Sequence, residues 1–167
     1  MTLPTKLPAR VLFVCIGNSC RSQMAEGFAK QHHSDVIAAL SAGGYPASIV
    51  QPETIAIMAE KSVSLEGQTP KTIQSIAPEQ VDLLVNMSGR TVLHLLPGFE
   101  GGNLIWEVKD PIGQPMTVYQ DVRDRIEILV AKLAAQLRPK PSAPPRIAST
   151  LPGLVTLRLM MQDSQHD

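Results

Sequence analysis

Residues 11–22 join a short apolar segment, a cysteine, a tight loop and the start of a helix. Residues 11–14 read Val-Leu-Phe-Val, a pattern typical of a buried strand, and Cys15 stands at their carboxyl end. Arg21 and Ser22 follow a five-residue loop, and the apolar spacing of residues 23–32 is typical of a helix. Main-chain N–H groups in such a loop point inward, and the helix terminus adds partial positive charge. The segment therefore predicts an anion-binding site.

The side chains of this loop predict a nucleophile held against an oxyanion. Arg21 offers a planar fork of donors to two oxygens at once, which fits a tetrahedral dianion such as phosphate. The same positive field holds Cys15 as the nucleophilic thiolate. Taken alone, Cys15 reads as a core cysteine and Arg21 as a surface arginine, but the turn residues Gly17 and Asn18 between them favour the oxyanion site. The predicted oxyanion-binding residues are Cys15, Ile16, Gly17, Asn18, Ser19, Cys20, Arg21 and Ser22.

The rest of the chain alternates predicted strands with predicted helices, which indicates an α/β protein with a four-stranded parallel sheet. Strands are predicted over residues 10–14, 35–41, 81–87 and 104–106. Helices are predicted over residues 23–32, 52–61, 88–96 and 117–138, with a shorter one over residues 72–76. Ligands of parallel sheets bind outside the carboxyl ends of the strands, where Cys15 and Asp110 both fall.

The composition excludes several classes of partner. A formal net charge of +0 and an aromatic content of 4% give no basis for binding nucleic acid or anionic membranes. No apolar run approaches the ~20 residues of a membrane span, and residues 1–10 lack the apolar stretch of a signal peptide. Two cysteines in one loop are not a disulfide scaffold, so a cytoplasmic location is expected. The four histidines show no ligand spacing, which predicts no metal site.

The chain is expected to hold one domain followed by a different kind of segment. Residues 1–138 form the predicted domain, which is long enough to bury a core. Residues 139–150 are a proline-rich linker, and residues 151–167 are a C-terminal tail. Two alternatives stand for the tail: it packs as a short element on this domain or a neighbouring subunit, or it is a disordered end.

Cys15, Arg21 and Ser22 match the Cys-x5-Arg-Ser/Thr signature of cysteine-dependent phosphatases. The position of this signature, directly after the first strand, resembles the low-molecular-weight protein tyrosine phosphatase superfamily. The longer string over residues 17–28 looks most like the arsenate reductase branch, and residues 41–71 and the Asp-Pro loop over residues 106–111 agree with it. The resemblance covers about residues 10–137. It implies a three-layer α/β/α fold and an enzyme.

The resemblance also assigns roles to single residues. Asp110, before a proline, is the candidate general acid that protonates the leaving group of a phosphate monoester. The alternative is a turn-forming aspartate, which the sequence alone favours. Asn18 is expected to hold the shape of the loop, Ser22 to donate to the Cys15 thiolate, and Ser41 to brace Asn18. The alternative for Asn18, Ser22 and Ser41 is a purely structural role as turn and cap residues.

Residues 86–95 depart from the arsenate reductases that use thioredoxin, because those enzymes carry a further cysteine pair in this segment. Reduction then requires an external low-molecular-weight thiol, or Cys20 must resolve the adduct on Cys15. Cys20 reads either as a small buried loop residue or as a redox partner that traps oxidised Cys15 in a reversible disulfide.

A second departure concerns potassium, which some arsenate reductases bind. The residues that match their ligands are Asn18, Glu26, Ser41 and, in place of an aspartate, Ser64. Because the aspartate is missing, the resemblance predicts no metal site in this chain.

Three functions are compatible with these residues, and phosphate, sulfate or arsenate is the ligand in each. The leading one is an arsenate reductase-like enzyme that uses an external thiol and holds no tightly bound cofactor. The alternative is a low-molecular-weight protein tyrosine phosphatase that hydrolyses phosphomonoesters, phosphoproteins included, through a phosphocysteine intermediate. Two positions favour the reductase. The phosphatases have proline at the position of Gln23, and they have tyrosines after the Asp-Pro, where this chain has Ile112. The missing cysteine pair favours the phosphatase. The third is a non-catalytic phosphate-binding module, supported by the proline-rich linker and tail.

Overall fold

The computed structural model describes residues 1–143, and the predicted tail and most of the predicted linker lie outside them. Its strands are β1 (Ala9–Cys15), β2 (Ile37–Gly43), β3 (Leu83–Asn86) and β4 (Gly102–Ile105). Its α-helices are α1 (Arg21–His32), α2 (Pro52–Ala59) and α3 (Met116–Leu137). Single 3₁₀ turns lie at Ile73–Ser75, Pro78–Gln80 and Leu93–Leu95.

The four strands form one parallel sheet, as predicted. Their order in the sheet is β2-β1-β3-β4. The central strand β1 pairs on both sides, and its apolar run is therefore fully buried. Parallel strands have their carboxyl ends at one edge of the sheet. The loops that follow β1, β3 and β4 consequently meet there.

Alternate side chains of β1 enter two separate apolar clusters, which gives the predicted three layers. Val11 and Phe13 pack into the larger cluster with residues of α1, α2 and α3. Leu12 and Val14 pack on the opposite face. That face is covered by residues of the 3₁₀ turns and their connections, namely Ile73, Val81, Val92 and Leu96. The layer on this face of the sheet, opposite to the α-helices, is thus built from 3₁₀ turns and connecting segments.

The helix predicted over residues 88–96 is wrong, because only the 3₁₀ turn Leu93–Leu95 forms there. The Asn86 side chain accepts from the Ser88 N–H at 2.9 Å and donates to the Arg90 carbonyl at 2.7 Å. Gly89 between them adopts a positive φ of 72°. These local bonds satisfy the backbone in a turn and compete with a helix.

The other predicted elements are present with shifted ends. Helix α1 begins at Arg21, so that Arg21 and Ser22 lie in its first turn rather than in the loop before it. Helix α2 has Pro52 in its first turn as predicted and ends two residues early, at Ala59. Within the described residues, no helix combines the length and the apolar character that crossing a bilayer requires.

Candidate active site

The loop between β1 and α1 is fixed from outside by the segment over residues 45–51. Three hydrogen bonds run from N–H groups of this segment to loop carbonyls: Tyr45 to Ile16 (3.0 Å), Ala47 to Gly17 (2.8 Å) and Gln51 to Ser19 (2.9 Å). No main-chain carbonyl among residues 1–143 accepts from the N–H groups of residues 16–20. With their carbonyls held outward, these N–H groups are left for a ligand on the inner side of the loop.

Two residues allow the loop its tight shape. Asn18 adopts a positive φ of 49°, a conformation that asparagine tolerates better than most residues. Gly43, at the end of β2, lies so close to the loop that a Cβ there would stand 2.5 Å from the Ile16 carbonyl oxygen and 2.8 Å from the Asn18 nitrogen. Gly43 belongs to the block over residues 41–71 that agrees with the resemblance, but no sequence pattern identifies it as the residue of closest approach to the loop.

The Cys15 sulfur is held by a chain of buried polar groups. Its Sγ lies 2.9 Å from the Ser22 Oγ, and the Asn18 Nδ2 donates to that same Oγ at 2.8 Å. Because the asparagine amide fills an acceptor position of the hydroxyl, the hydroxyl hydrogen is free to point at the sulfur. Such a bond stabilises a thiolate. Asn18 and Ser22 thus contact each other and Ser22 contacts the sulfur, and the roles that the resemblance gave to them stay predictions.

Ser41 does not brace Asn18 as expected. The Ser41 hydroxyl donates instead to the Glu26 carboxylate, which α1 directs at β2. Asn18 is held by Lys71, whose N–H donates to its Oδ1 at 2.9 Å, and by Gln23, whose Nε2 donates to its carbonyl at 2.8 Å.

Glu26 belongs to the residues that match the potassium ligands of some relatives, and both of its oxygens are used. Ser41 donates to Oε2, and the Lys30 Nζ lies 2.5 Å from Oε1. Ser64 accepts from the Glu66 N–H rather than joining this group. The residues therefore do not fit a potassium site. Residues 1–143 hold no cluster of three histidine, cysteine or acidic side chains with metal-binding geometry.

The Arg21 guanidinium joins three loops at the carboxyl edge of the sheet. Its Nη1 donates to the Met87 carbonyl after β3 (2.7 Å) and to the Val108 carbonyl after β4 (3.1 Å). Its Nη2 lies 3.2 Å from the Asp110 Oδ2. These acceptors lie between 66 and 89 residues away from Arg21 in the sequence, so no local pattern could predict them. The carbonyls orient the guanidinium at the wall of the site.

Asp110 lies at the open side of the same site. Its side chain is 41% exposed, whereas that of Arg21 is 6% exposed. One carboxylate oxygen faces Arg21, and the other accepts from the Ile112 N–H at 3.2 Å. Asp110 therefore forms a turn and also contacts Arg21, and its role as general acid stays a prediction.

These groups surround a small cavity of about 160 Å³. Its lining includes both cysteines and the other groups already described, and is formed by Cys15, Ile16, Gly17, Ser19, Cys20, Arg21, Ala47, Gln51, Asp110 and Ile112. Asn18 and Ser22 lie behind this lining and support it. Ala47, Gln51 and Ile112 were not among the predicted residues, since they reach the cavity only through the tertiary fold.

Cys20 has a different environment from Cys15. Both are buried free thiols, with Cys15 3% exposed and Cys20 2% exposed, so the two differ in their polar neighbours and not in their exposure. Burial raises the pKa of the Cys20 thiol to about 12, and the charges of Cys15 and Asp110 add to the rise. The raised pKa disfavours the Cys20 thiolate at neutral pH, which makes Cys20 a slow nucleophile.

Comparison with known proteins identifies relatives over most of the chain. Residues 10–143 match the family model described as low molecular weight phosphotyrosine protein phosphatase. A glutaredoxin arsenate reductase from Synechocystis sp. is 38% identical over 131 residues, which cover 75% of this chain and 98% of the relative. Arsenate reductase 1 from Bacillus cereus is 36% identical over 126 residues, or 74% of this chain and 92% of the relative.

Solved structures agree with this relationship. An arsenate reductase in the phosphate binding state superposes with a TM-score of 0.70 at 34% identity, covering 78% of this chain and 99% of that one. An arginine phosphatase from Geobacillus stearothermophilus, at 24% identity and a TM-score of 0.71, shares the fold. The chain belongs to the low molecular weight phosphotyrosine protein phosphatase family of enzymes, on its arsenate reductase-like branch.

Proposed function

We propose that this enzyme reduces arsenate with electrons from an external thiol. The observation that carries the proposal is the unequal pair of cysteines around one oxyanion-sized cavity. The Cys15 sulfur lies 2.9 Å from the Ser22 hydroxyl, whereas burial raises the pKa of Cys20, which is the only other cysteine of the chain. A first thiol is thus prepared for attack on an oxyanion, and the second must come from outside. The relatives from Synechocystis sp. and Bacillus cereus are arsenate reductases by name, which supports the same substrate.

The proposed reaction has three steps. The Cys15 thiolate attacks the arsenic of arsenate, an S–As bond forms, and one hydroxyl leaves as water after taking up a proton. The thiolate of the reductant then attacks the Cys15 sulfur. The S–As bond breaks with its electron pair on arsenic, so As(V) leaves as As(III) arsenite and a mixed disulfide remains. A second thiol of the reductant releases Cys15 by exchange. One arsenate and two thiols give one arsenite, one disulfide and one water.

The residues of the site have separate roles in these steps. Loop N–H groups and Arg21 bind the oxyanion and oppose its negative charge. Ser22, oriented by Asn18, stabilises the Cys15 thiolate both as nucleophile and as the group released at the end. Asp110, at the open side, is placed to donate the proton that the departing hydroxyl requires. We place the enzyme in the cytoplasm, where thiols are kept reduced.

The test is arsenite formation by the purified full chain supplied with arsenate and reduced glutathione. We expect arsenite and oxidised glutathione in equal amounts, no turnover by Cys15→Ser, and most of the turnover retained by Cys20→Ser. The proposal fails if neither glutathione, 2-mercaptoethanol nor a glutaredoxin with glutathione supports arsenite formation.

Hydrolysis of phosphomonoesters, phosphoproteins included, is a second candidate, and the position of Asp110 favours it. A carboxyl group on the open side of the cavity suits protonation of a leaving alkoxide. If this activity is present, Asp110→Asn slows esters with poor leaving groups by about 10²–10⁴-fold and those with good leaving groups much less. Equal slowing of both would exclude Asp110 as the acid. Hydrolysis of either kind of ester by the wild type would argue against a non-catalytic binding module.

A further inference from the structure

A second and larger cavity of about 890 Å³ lies beside the candidate active site. One wall is the turn-rich segment over residues 86–94, and the other is β4 with residues 106–109. We call this cavity the β4 groove. Its volume is within the ~300–1,000 Å³ typical of sites for small organic ligands. The arsenate itself is far smaller and is already accommodated by the loop, so the groove is free for another molecule.

The β4 groove and the small cavity share the side chain of Arg21. The Met87 and Val108 carbonyls that hold its Nη1 belong to residues lining the groove, whereas its Nη2 faces Asp110 in the small cavity. A molecule in the groove therefore contacts the guanidinium from one side while an oxyanion contacts it from the other. The groove is therefore the immediate neighbour of the small cavity that Cys15 lines.

The charges that line the groove favour an anion. Arg90 and Lys109 are both exposed there, and neither forms an ion pair within residues 1–143. Glu107 is the single carboxylate of the lining, so the balance is positive even with Arg21 set against Asp110. Trp106 adds an apolar surface between these charges. The groove thus presents two free cations around an apolar wall.

We propose that the β4 groove binds the reductant, an anionic thiol of the size of a short peptide. The inference rests on the proposed function, because that chemistry needs two thiols besides Cys15 and the chain has only one other cysteine. Carboxylates of the reductant lie on Arg90 and Lys109, its apolar part lies on Trp106, and its sulfur faces Arg21. A concave site of this volume suits such a molecule better than the flatter surface of a redox protein.

Trp106 gives a direct readout of the groove, since it is the only tryptophan of the chain. The probe is S-methylglutathione, which has two carboxylates and one ammonium group and cannot react. Titration into the full chain should change the Trp106 fluorescence saturably, and added salt should weaken the binding. The double variant Arg90→Gln/Lys109→Gln should raise the dissociation constant about tenfold or more. Lys132→Gln, which removes an exposed charge on α3 away from the groove, should leave it unchanged.

Steady-state kinetics of arsenate reduction provide a second test of the groove. The double variant should raise the KM for glutathione about tenfold and leave the KM for arsenate, and the rate with neutral 2-mercaptoethanol, within twofold of the wild type. The inference is overturned if S-methylglutathione gives no saturable change, or if the double variant affects glutathione and 2-mercaptoethanol equally. It is overturned as well if only a reduced glutaredoxin supports turnover. If the probe binds as described but no thiol yields arsenite, the groove stands as an anion site and the proposed function fails.

Discussion

At the scale of single residues, the Ser22 hydroxyl is the side chain that contacts the Cys15 sulfur. It lies 2.9 Å from the sulfur and is oriented by the Asn18 amide. This bond was predictable only from the resemblance, because spacing alone does not distinguish it from a helix-capping hydroxyl. Ser41 shows that a residue's role does not always follow from the resemblance. Its position in the sequence agrees with the family, yet its hydroxyl donates to Glu26 and not to Asn18.

Ser22→Ala is expected to slow alkylation of Cys15 by iodoacetamide about tenfold at neutral pH. The reason is the loss of a charge-assisted hydrogen bond worth about 1.5 kcal/mol to the thiolate. Ser22→Thr keeps the hydroxyl and should retain the rate within a few-fold, provided that its unfolding midpoint matches the wild type. Equal rates for Ser22→Ala and the wild type would mean that the hydroxyl does not act on the sulfur.

Cys20 predicts a pH dependence of stability in the alkaline range. Burial holds the pKa of its thiol at about 12 in the folded state, whereas the unfolded thiol ionises near 9.0. Above that pH the unfolded state binds fewer protons than the folded one, so the unfolding free energy falls as pH rises. The limiting slope is about 1.4 kcal/mol per pH unit. Denaturant unfolding of Cys20→Ala from pH 8 to 11 should lack this component. A wild type with the same slope as the variant would contradict the assignment.

At the scale of elements, the loop over residues 15–20 owes its shape to β2 and to the chain that follows it. Hydrogen bonds from residues 45–51 hold its carbonyls outward, and Gly43 lets β2 approach. The strand, loop and helix themselves follow from the apolar run and the turn residues. The helix predicted over residues 88–96 failed, because apolar spacing does not register the side-chain bonds of Asn86 and Ser88 that form a turn.

Gly43→Ala is expected to destabilise the protein by about 1–3 kcal/mol, because its Cβ would meet the Ile16 carbonyl at 2.5 Å. The displaced loop should also bind phosphate weakly. Gly44→Ala is the matched control, since a Cβ there meets only a Leu95 methyl at 3.4 Å. Denaturant unfolding and phosphate inhibition would be measured for both. A Gly43→Ala variant as stable and as inhibitable as Gly44→Ala would show that the loop does not depend on this approach.

At the scale of the whole molecule, the parallel sheet brings distant segments to one edge. Arg21 begins α1, yet its acceptors Met87, Val108 and Asp110 follow β3 and β4. The parallel sheet and the location of the site at this edge could be predicted from alternating elements, whereas the strand order could not. The β4 groove could not, since it exists only where two loops far apart in the chain face each other.

The central claim is that Cys15 first bonds to arsenic and that a thiol from outside the chain then attacks the Cys15 sulfur, which releases arsenite and leaves a mixed disulfide. Protein taken during turnover with arsenate and glutathione, quenched in acid and measured by intact mass and peptide mapping, tests it most directly. The account predicts one glutathione linked to Cys15 by a disulfide, with Cys20 still a thiol. An internal Cys15–Cys20 disulfide as the species formed during turnover, without any glutathione adduct, would contradict it.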